Sequence, residues 1–111
     1  MHEFELIKKY FSKLTKNDSS LKLNDDVFFD KSKKLTVSID TYIEGIHFIN
    51  FDKPGLVIKK IIRSSISDLI CKGVEPKYYF ISGSGNNKYF IPKNLKKISK
   101  SLKSEQKKFG I

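Results

Sequence analysis

The chain is poor in the residue types that build platforms for nucleic acid. It has one arginine, Arg63, among its 22 basic residues, and no tryptophan. Arginine is the usual bidentate reader of guanine and phosphate, and aromatic rings stack bases. The net charge of +10 is therefore a weak argument for a nucleic-acid partner. Alanine is missing altogether, while Lys, Ile, Asn, Phe and Ser abound, which fits AT-rich codon usage better than selection for a partner. A single cysteine, Cys71, excludes an internal disulfide and a cysteine-built zinc site. It points to a reducing cytoplasm, and its place near a predicted helix end suggests packing rather than reactivity. No apolar run approaches the roughly 20 residues that a membrane helix needs. The opening Met-His-Glu-Phe lacks the basic and then apolar order of a signal peptide.

What is present suits one modest core. The 111 residues include nine Phe and five Tyr, enough for a single domain over 1–111. Residues 3–14, "EFELIKKYFSKL", set Phe4, Ile7, Phe11 and Leu14 on one helical stripe. Residues 15–24 are polar and turn-like. "DVFFD" reads as a short strand, and "LTVSID" alternates, with Leu35, Val37 and Ile39 on one face and Thr36, Ser38 and Asp40 on the other. The short "KSKK" link between them predicts a hairpin, although it lacks an Asn-Gly turn. Pro54 opens a helix whose apolar face is Ile58, Ile61, Ile62, Ile66 and Leu69, with Gly73 as its stop. "YYFI" at 78–81 reads as a third strand. Pro92 opens a last helix with Leu95, Ile98 and Leu102 on a narrow stripe. Eight lysines against one glutamate crowd residues 86–111; such a run is ordinarily a solvated helix face. The predicted order is α-β-β-α-β-α: an α/β (α+β) fold with a small mixed or antiparallel sheet packed by helices.

Carboxylates recur at the ends of these elements. In "LNDDVFF" the adjacent Asp25 and Asp26 precede a strand; Asp40 closes the polar face of the next strand beside Ser38, and Asp68 sits at the edge of a helix's apolar face. Carboxylates that converge without a cation raise each other's pKa. A hard divalent ion such as Mg²⁺ relieves the repulsion and keeps waters that a phosphate can displace. The competing explanation is that these aspartates merely cap turns and helices in water. His47 stands in a loop after Asp40, near any anion held there. "SGSGNN" at 82–87 lacks the Lys-Ser or Lys-Thr of a Walker loop and reads as an ordinary strand exit. No Ser-His-Asp or Cys-His arrangement is present in convincing form.

Taken together, "NDD" before a strand, "VSIDTYIEGIHF" and "SSISDLICKGVEPKYY" resemble the N-terminal part of the thiamine-monophosphate kinases. These belong to the ATP-binding superfamily that includes aminoimidazole ribonucleotide synthetase and selenophosphate synthetase. The resemblance covers nearly all of the chain in the right order. It implies a kinase that moves the γ-phosphoryl of ATP onto thiamine monophosphate with several Mg²⁺ ions and no phospho-enzyme. By the same resemblance Asp26 matches a metal-bridging carboxylate, Asp40 and Asp68 match metal-binding aspartates, and Ser38 matches a ligand position. Ile39 stands where the family often has Thr, so only its backbone carbonyl remains as a ligand. His47 matches a residue that touches the thiamine substrate. Asn24 replaces a usual Gly.

The resemblance further implies an N-terminal metal- and ATP-binding domain that pairs with a second copy as a homodimer. It also implies a following strand, a "GGDT"-like metal segment and a C-terminal domain. The chain ends before these, so it is expected to be truncated and to turn over weakly or not at all alone. Two other readings remain open at this stage: another enzyme of the same superfamily, or a small basic module that binds RNA or an acidic partner through the Lys-rich helix.

Overall fold

The computed structural model describes residues 2–25 and 27–111. Asp26, one of the expected metal ligands, lies outside the described residues.

Helix α1 (Glu3–Leu6) continues as a wide π-type turn over Ile7–Phe11 and a tight turn over Ser12–Leu14, so the expected N-terminal helical stretch is present as a mixed helical path. Its apolar stripe is mostly uncovered among the described residues: Phe4, Phe11 and Leu14 are exposed, and Ile7 is half-buried. The link to the sheet, Asp18–Leu23, is a tight turn that kinks into left-handed backbone at Leu21; the Asn17 side chain starts it by accepting the Ser20 N–H at 3.0 Å. Leu21, Lys22 and Leu23 hold φ of 52°, 55° and 59°. Such backbone costs non-glycine residues about 1–2 kcal/mol each, so local strain is stored just before the acidic pair.

Strands β1 (Val27–Asp30) and β2 (Leu35–Ser38) form an antiparallel hairpin with Val27 opposite Ser38 and Asp30 opposite Leu35. The turn works without Asn-Gly because Asp30 organises it. The Asp30 carboxylate accepts from the Ser32 hydroxyl at 2.8 Å, the Ser32 N–H at 3.1 Å and the Lys33 N–H at 3.2 Å, while Lys34 takes the left-handed position. Those donors, the Ser32 hydroxyl first, hold the Asp30 carboxyl below its ordinary range.

The sheet covers its polar face. Val27 is buried, and Thr36 and Ser38 on the same face are half-buried toward the long helix. The opposite face, with Phe28, Leu35 and Val37 and with Ile39 just past β2, stays open. Alternation correctly separates two faces, but it carries no information on which one the chain covers.

Helices α2 (Pro54–Cys71) and α3 (Pro92–Phe109) both begin at proline, as expected, because proline's missing N–H has no partner to lose there. α2 ends in a Schellman turn: Val74 N–H reaches Leu69 O at 3.0 Å and Gly73 N–H reaches Ile70 O at 2.9 Å. That geometry requires the positive φ of Gly73, 73°. The core is Val27 with Val57, Ile58, Ile62 and Ile66 of α2.

The seam between α2 and α3 is more polar than the pattern predicts. Leu95 is exposed and Ile98 and Leu102 are only half-buried, whereas Ser101 and Glu105 are buried. Ser101 Oγ donates to Gly55 O at 2.7 Å. The Arg63 guanidinium grips the Glu105 carboxylate with both ends, Nε to Oε2 at 2.9 Å and Nη2 to Oε1 at 3.1 Å. That pair lowers the Glu105 pKa and raises that of Arg63.

The third strand does not form. Residues 74–86 run irregularly, and among the described residues the order is α-β-β-α-α around a two-stranded antiparallel sheet. β-forming side chains make a strand only where they pair with an edge, and among the described residues this segment pairs with neither edge of the hairpin. Tyr78 and Phe80 project into solvent, and Tyr79 lies along α3, its hydroxyl accepting from Gln106 Nε2 at 2.7 Å. Cys71 is exposed rather than packed. No helix among the described residues is long and apolar enough to cross a membrane.

Candidate metal and phosphate site

The end of β2 and the last turns of α2 meet at two carboxylates. Asp40 follows β2 after Ile39, and Asp68 comes from the α2 edge as the sequence reading expects. Asp68 is half-buried, and Asp40 is close enough to act on its carboxyl. Burial first, and then the charge of Asp40, push the Asp68 carboxyl above its ordinary range. The Ser38 hydroxyl and the Lys72 ammonium pull the other way. Ser38 Oγ is itself buried and makes no hydrogen bond of good geometry, although it is near enough to Asp68 to favour the ionised form.

A buried hydroxyl without a settled partner beside two crowded carboxylates is a set of hard oxygen donors. That is the chemistry Mg²⁺ takes, and a cation there would relieve the repulsion. Asp40, Asp68 and Ser38 therefore fit the expected ion. The wider convergence of three or four carboxylates is not seen among the described residues, which contain no group of three Asp, Glu, His or Cys placed to hold a metal. Asp26 falls outside them. Ile39 contributes no side-chain oxygen, and its side chain is 90 % exposed.

Asp25, just before β1, reaches across to the end of α2. Lys72 Nζ lies 2.9 Å from one oxygen of Asp25 and 3.1 Å from the other. Residue type alone hides this pairing, because the partners are 47 residues apart.

His47 occupies a different place. Its Nδ1 accepts the Ile43 N–H at 2.8 Å, its ring meets Tyr42 edge-on with centroids 5.6 Å apart, and its carbonyl accepts from Lys60 Nζ. Tyr42 Oη and Ser65 Oγ, 3.1 Å apart, tie the same loop to α2. His47 lines an open cleft of about 610 Å³ with Ile46, Phe48, Lys53, Leu56 and Lys60. The lining is mainly apolar and carries two ammonium groups and the Asp52 carboxylate, which suits an amphipathic charged ligand. Asp40 and Asp68 are not part of that lining. Along α2, Asp68 lies about 12 Å beyond Lys60 at 1.5 Å per residue, so the structure brings Asp40, Asp68 and Ser38 together and sets His47 apart from them. Lys60 and Lys72 escaped the sequence reading because lysines in a lysine-rich chain carry no positional signal. The Gly-rich 82–87 segment is exposed and leads into a short turn at Asn87–Tyr89, with no cradle formed.

Comparison with known proteins matches the chain's sequence to a family. A thiamine-monophosphate kinase of Buchnera aphidicola subsp. Acyrthosiphon pisum is 33% identical over 117 residues, covering 98% of this chain and 35% of the relative. One from Haemophilus influenzae is 34% identical over 83 residues, 70% of this chain and 25% of the relative. One from Buchnera aphidicola subsp. Schizaphis graminum is 32% identical over 110 residues, 91% and 32% respectively. The chain thus spans about a third or less of the length of these curated relatives. No solved structure matches. The expected resemblance to the N-terminal part of the thiamine-monophosphate kinases holds. The family model described as AIR synthase related protein, N-terminal domain, matches residues 23–111, and the chain belongs to that family.

Proposed function

We propose that this chain is the N-terminal, metal-binding part of a thiamine-monophosphate kinase, which phosphorylates thiamine monophosphate to thiamine diphosphate with ATP and Mg²⁺. The observation that carries the reading is the meeting of Asp40 and Asp68 beside the unpartnered Ser38 hydroxyl. The relatives' names give that oxygen cluster its substrate class. Asp40, Asp68 and Ser38 would hold Mg²⁺ together with Asp26, and Ile39 would add a carbonyl. Bound there, Mg²⁺ supplies charge neutralisation and alignment for the polyphosphate, which is most of what phosphoryl transfer asks of a protein. A cation offsets the repulsion that Asp40 exerts on Asp68. The cleft beside His47 takes the thiamine end, its apolar wall against the rings and Lys53 and Lys60 toward the phosphate. No catalytic base is required of the protein, because the accepting phosphate oxygen is already anionic.

The open sheet face of Phe28, Leu35, Val37 and Ile39 supports a homodimer, since an apolar strand face of this kind is covered in a working assembly. The relatives' enzymatic role and the exposed free thiol of Cys71 support a cytoplasmic setting.

Calorimetry tests the reading. ATP is expected to bind only with Mg²⁺ present, and Asp40→Asn is expected to weaken that binding at least tenfold, the loss of about 1.4 kcal/mol. Binding of RNA with a steep salt dependence, and no effect of Mg²⁺ on ATP, would replace the kinase by a basic nucleic-acid module.

A further inference from the structure

We propose that Lys72 is a tethered cation of the metal site: its ammonium holds the acidic cluster together without metal and opposes a divalent ion that enters. The inference rests on the metal-site reading above and concerns how that site is regulated. Lys72 caps the C-terminus of α2, four residues after Asp68. Its ammonium spans both oxygens of Asp25 at 2.9 and 3.1 Å, so it joins the approach to β1 to the end of α2. Lys72 also stands about one helical turn after Asp68, so the two side chains lie on the same side of the end of α2. One flexible side chain thus offsets carboxylates from both sides of the site.

Its position suits a placeholder that can leave. The side chains of Lys72 and Asp25 are 41% and 31% exposed, so the pair is only modestly stabilising and opens into water at low cost. Lysine brings a compact point charge on a flexible stem. The helix C-terminus holds a cation nearby through its partial negative charge. A divalent ion placed about 6 Å from this ammonium, in a water-like dielectric, is weakened by roughly tenfold through Coulomb repulsion.

The experiment is a Mn²⁺ titration of the full 111-residue chain, read by electron paramagnetic resonance, for the wild type, Lys72→Met and Lys72→Arg. Lys72→Met should bind Mn²⁺ about tenfold more tightly than the wild type, and Lys72→Arg should match the wild type. Thermal unfolding without metal should show Lys72→Met less stable, and Mn²⁺ should restore it. Lys72→Gln serves the same comparison if the methionine variant folds poorly. Equal or weaker Mn²⁺ affinity in the uncharged variants, with the wild type binding, overturns the role of Lys72 and leaves the metal site standing. Absence of Mn²⁺ binding in every form overturns both.

Discussion

Replacing Arg63 by methionine is expected to destabilise the fold by about 3 kcal/mol, the cost of stranding the buried Glu105 carboxylate. The two ends of the pair differ sharply in exposure, which makes the cost asymmetric. The Arg63 side chain is 42% exposed, whereas that of Glu105 is 2% exposed. Without its partner, Arg63 can turn into water, but Glu105 cannot. Glu105→Gln, which keeps an acceptor for the guanidinium, should therefore cost less, on the order of 1 kcal/mol. The double replacement Arg63→Met with Glu105→Leu removes both charges and should lie near the wild type, because a buried ion pair seldom exceeds a well-packed apolar pair. Urea unfolding of the three variants checks the ranking. Equal losses for both single variants would show that the α2–α3 seam is held by other contacts.

The same pair gives a pH dependence with a definite sign. The Glu105 pKa is depressed in the folded protein, chiefly by the Arg63 hydrogen bonds. Its contribution to stability is complete above the ordinary glutamate pKa and is lost as the pH falls through the depressed folded value. Asp68 is raised and runs the other way: its contribution is most favourable below the ordinary aspartate pKa and falls as the pH rises through the folded value.

Asp68→Asn should separate stability from metal binding. In the metal-free protein near neutral pH, ionised Asp68 is partly desolvated and faces Asp40. Removing that charge is expected to stabilise the metal-free chain by about 1 kcal/mol, the usual scale of gain when a strained functional site is relieved. The larger effect appears with ligand. At 100 times its dissociation constant, Mg²⁺-ATP should stabilise the wild type by about 2.7 kcal/mol through linkage. Asp68→Asn should gain almost none of this. Thermal unfolding with and without Mg²⁺-ATP reads both arms, and a variant that is destabilised without ligand yet fully stabilised with it would exclude Asp68 from the site.

The helices and the hairpin were legible because local chemistry punctuates them. Pro54 and Pro92 open α2 and α3, Gly73 closes α2, and the short link between two apolar runs marks the hairpin, whereas the Gly110 stop of α3 and the Asp30 turn emerge only in the structure. What local chemistry does not encode is which surface meets which. Leu35, Val37 and Ile39 were visible as a face but not as the uncovered one. Tyr78 and Phe80 favour a strand, yet strand formation depends on an edge elsewhere. Among the proposed site residues, Asp40, Asp68 and Ser38 are marked in the sequence by element ends and by resemblance, and the structure places them near one another. The partners of Asp25 and Glu105 lie 47 and 42 residues away, beyond any periodic pattern. One signal for the second pair was available: Arg63 is the only arginine, and Glu105 is the only acidic residue after position 85.

Anomalous diffraction from crystals of the chain grown with Mn²⁺ and ATP locates the ion itself. Mn²⁺ is expected about 2.1 Å from carboxylate oxygens of both Asp40 and Asp68, with Ser38 turned toward it and the ATP phosphates on its open side. An ion held only by exposed carboxylates elsewhere, with Asp40 and Asp68 still facing each other, would contradict the account.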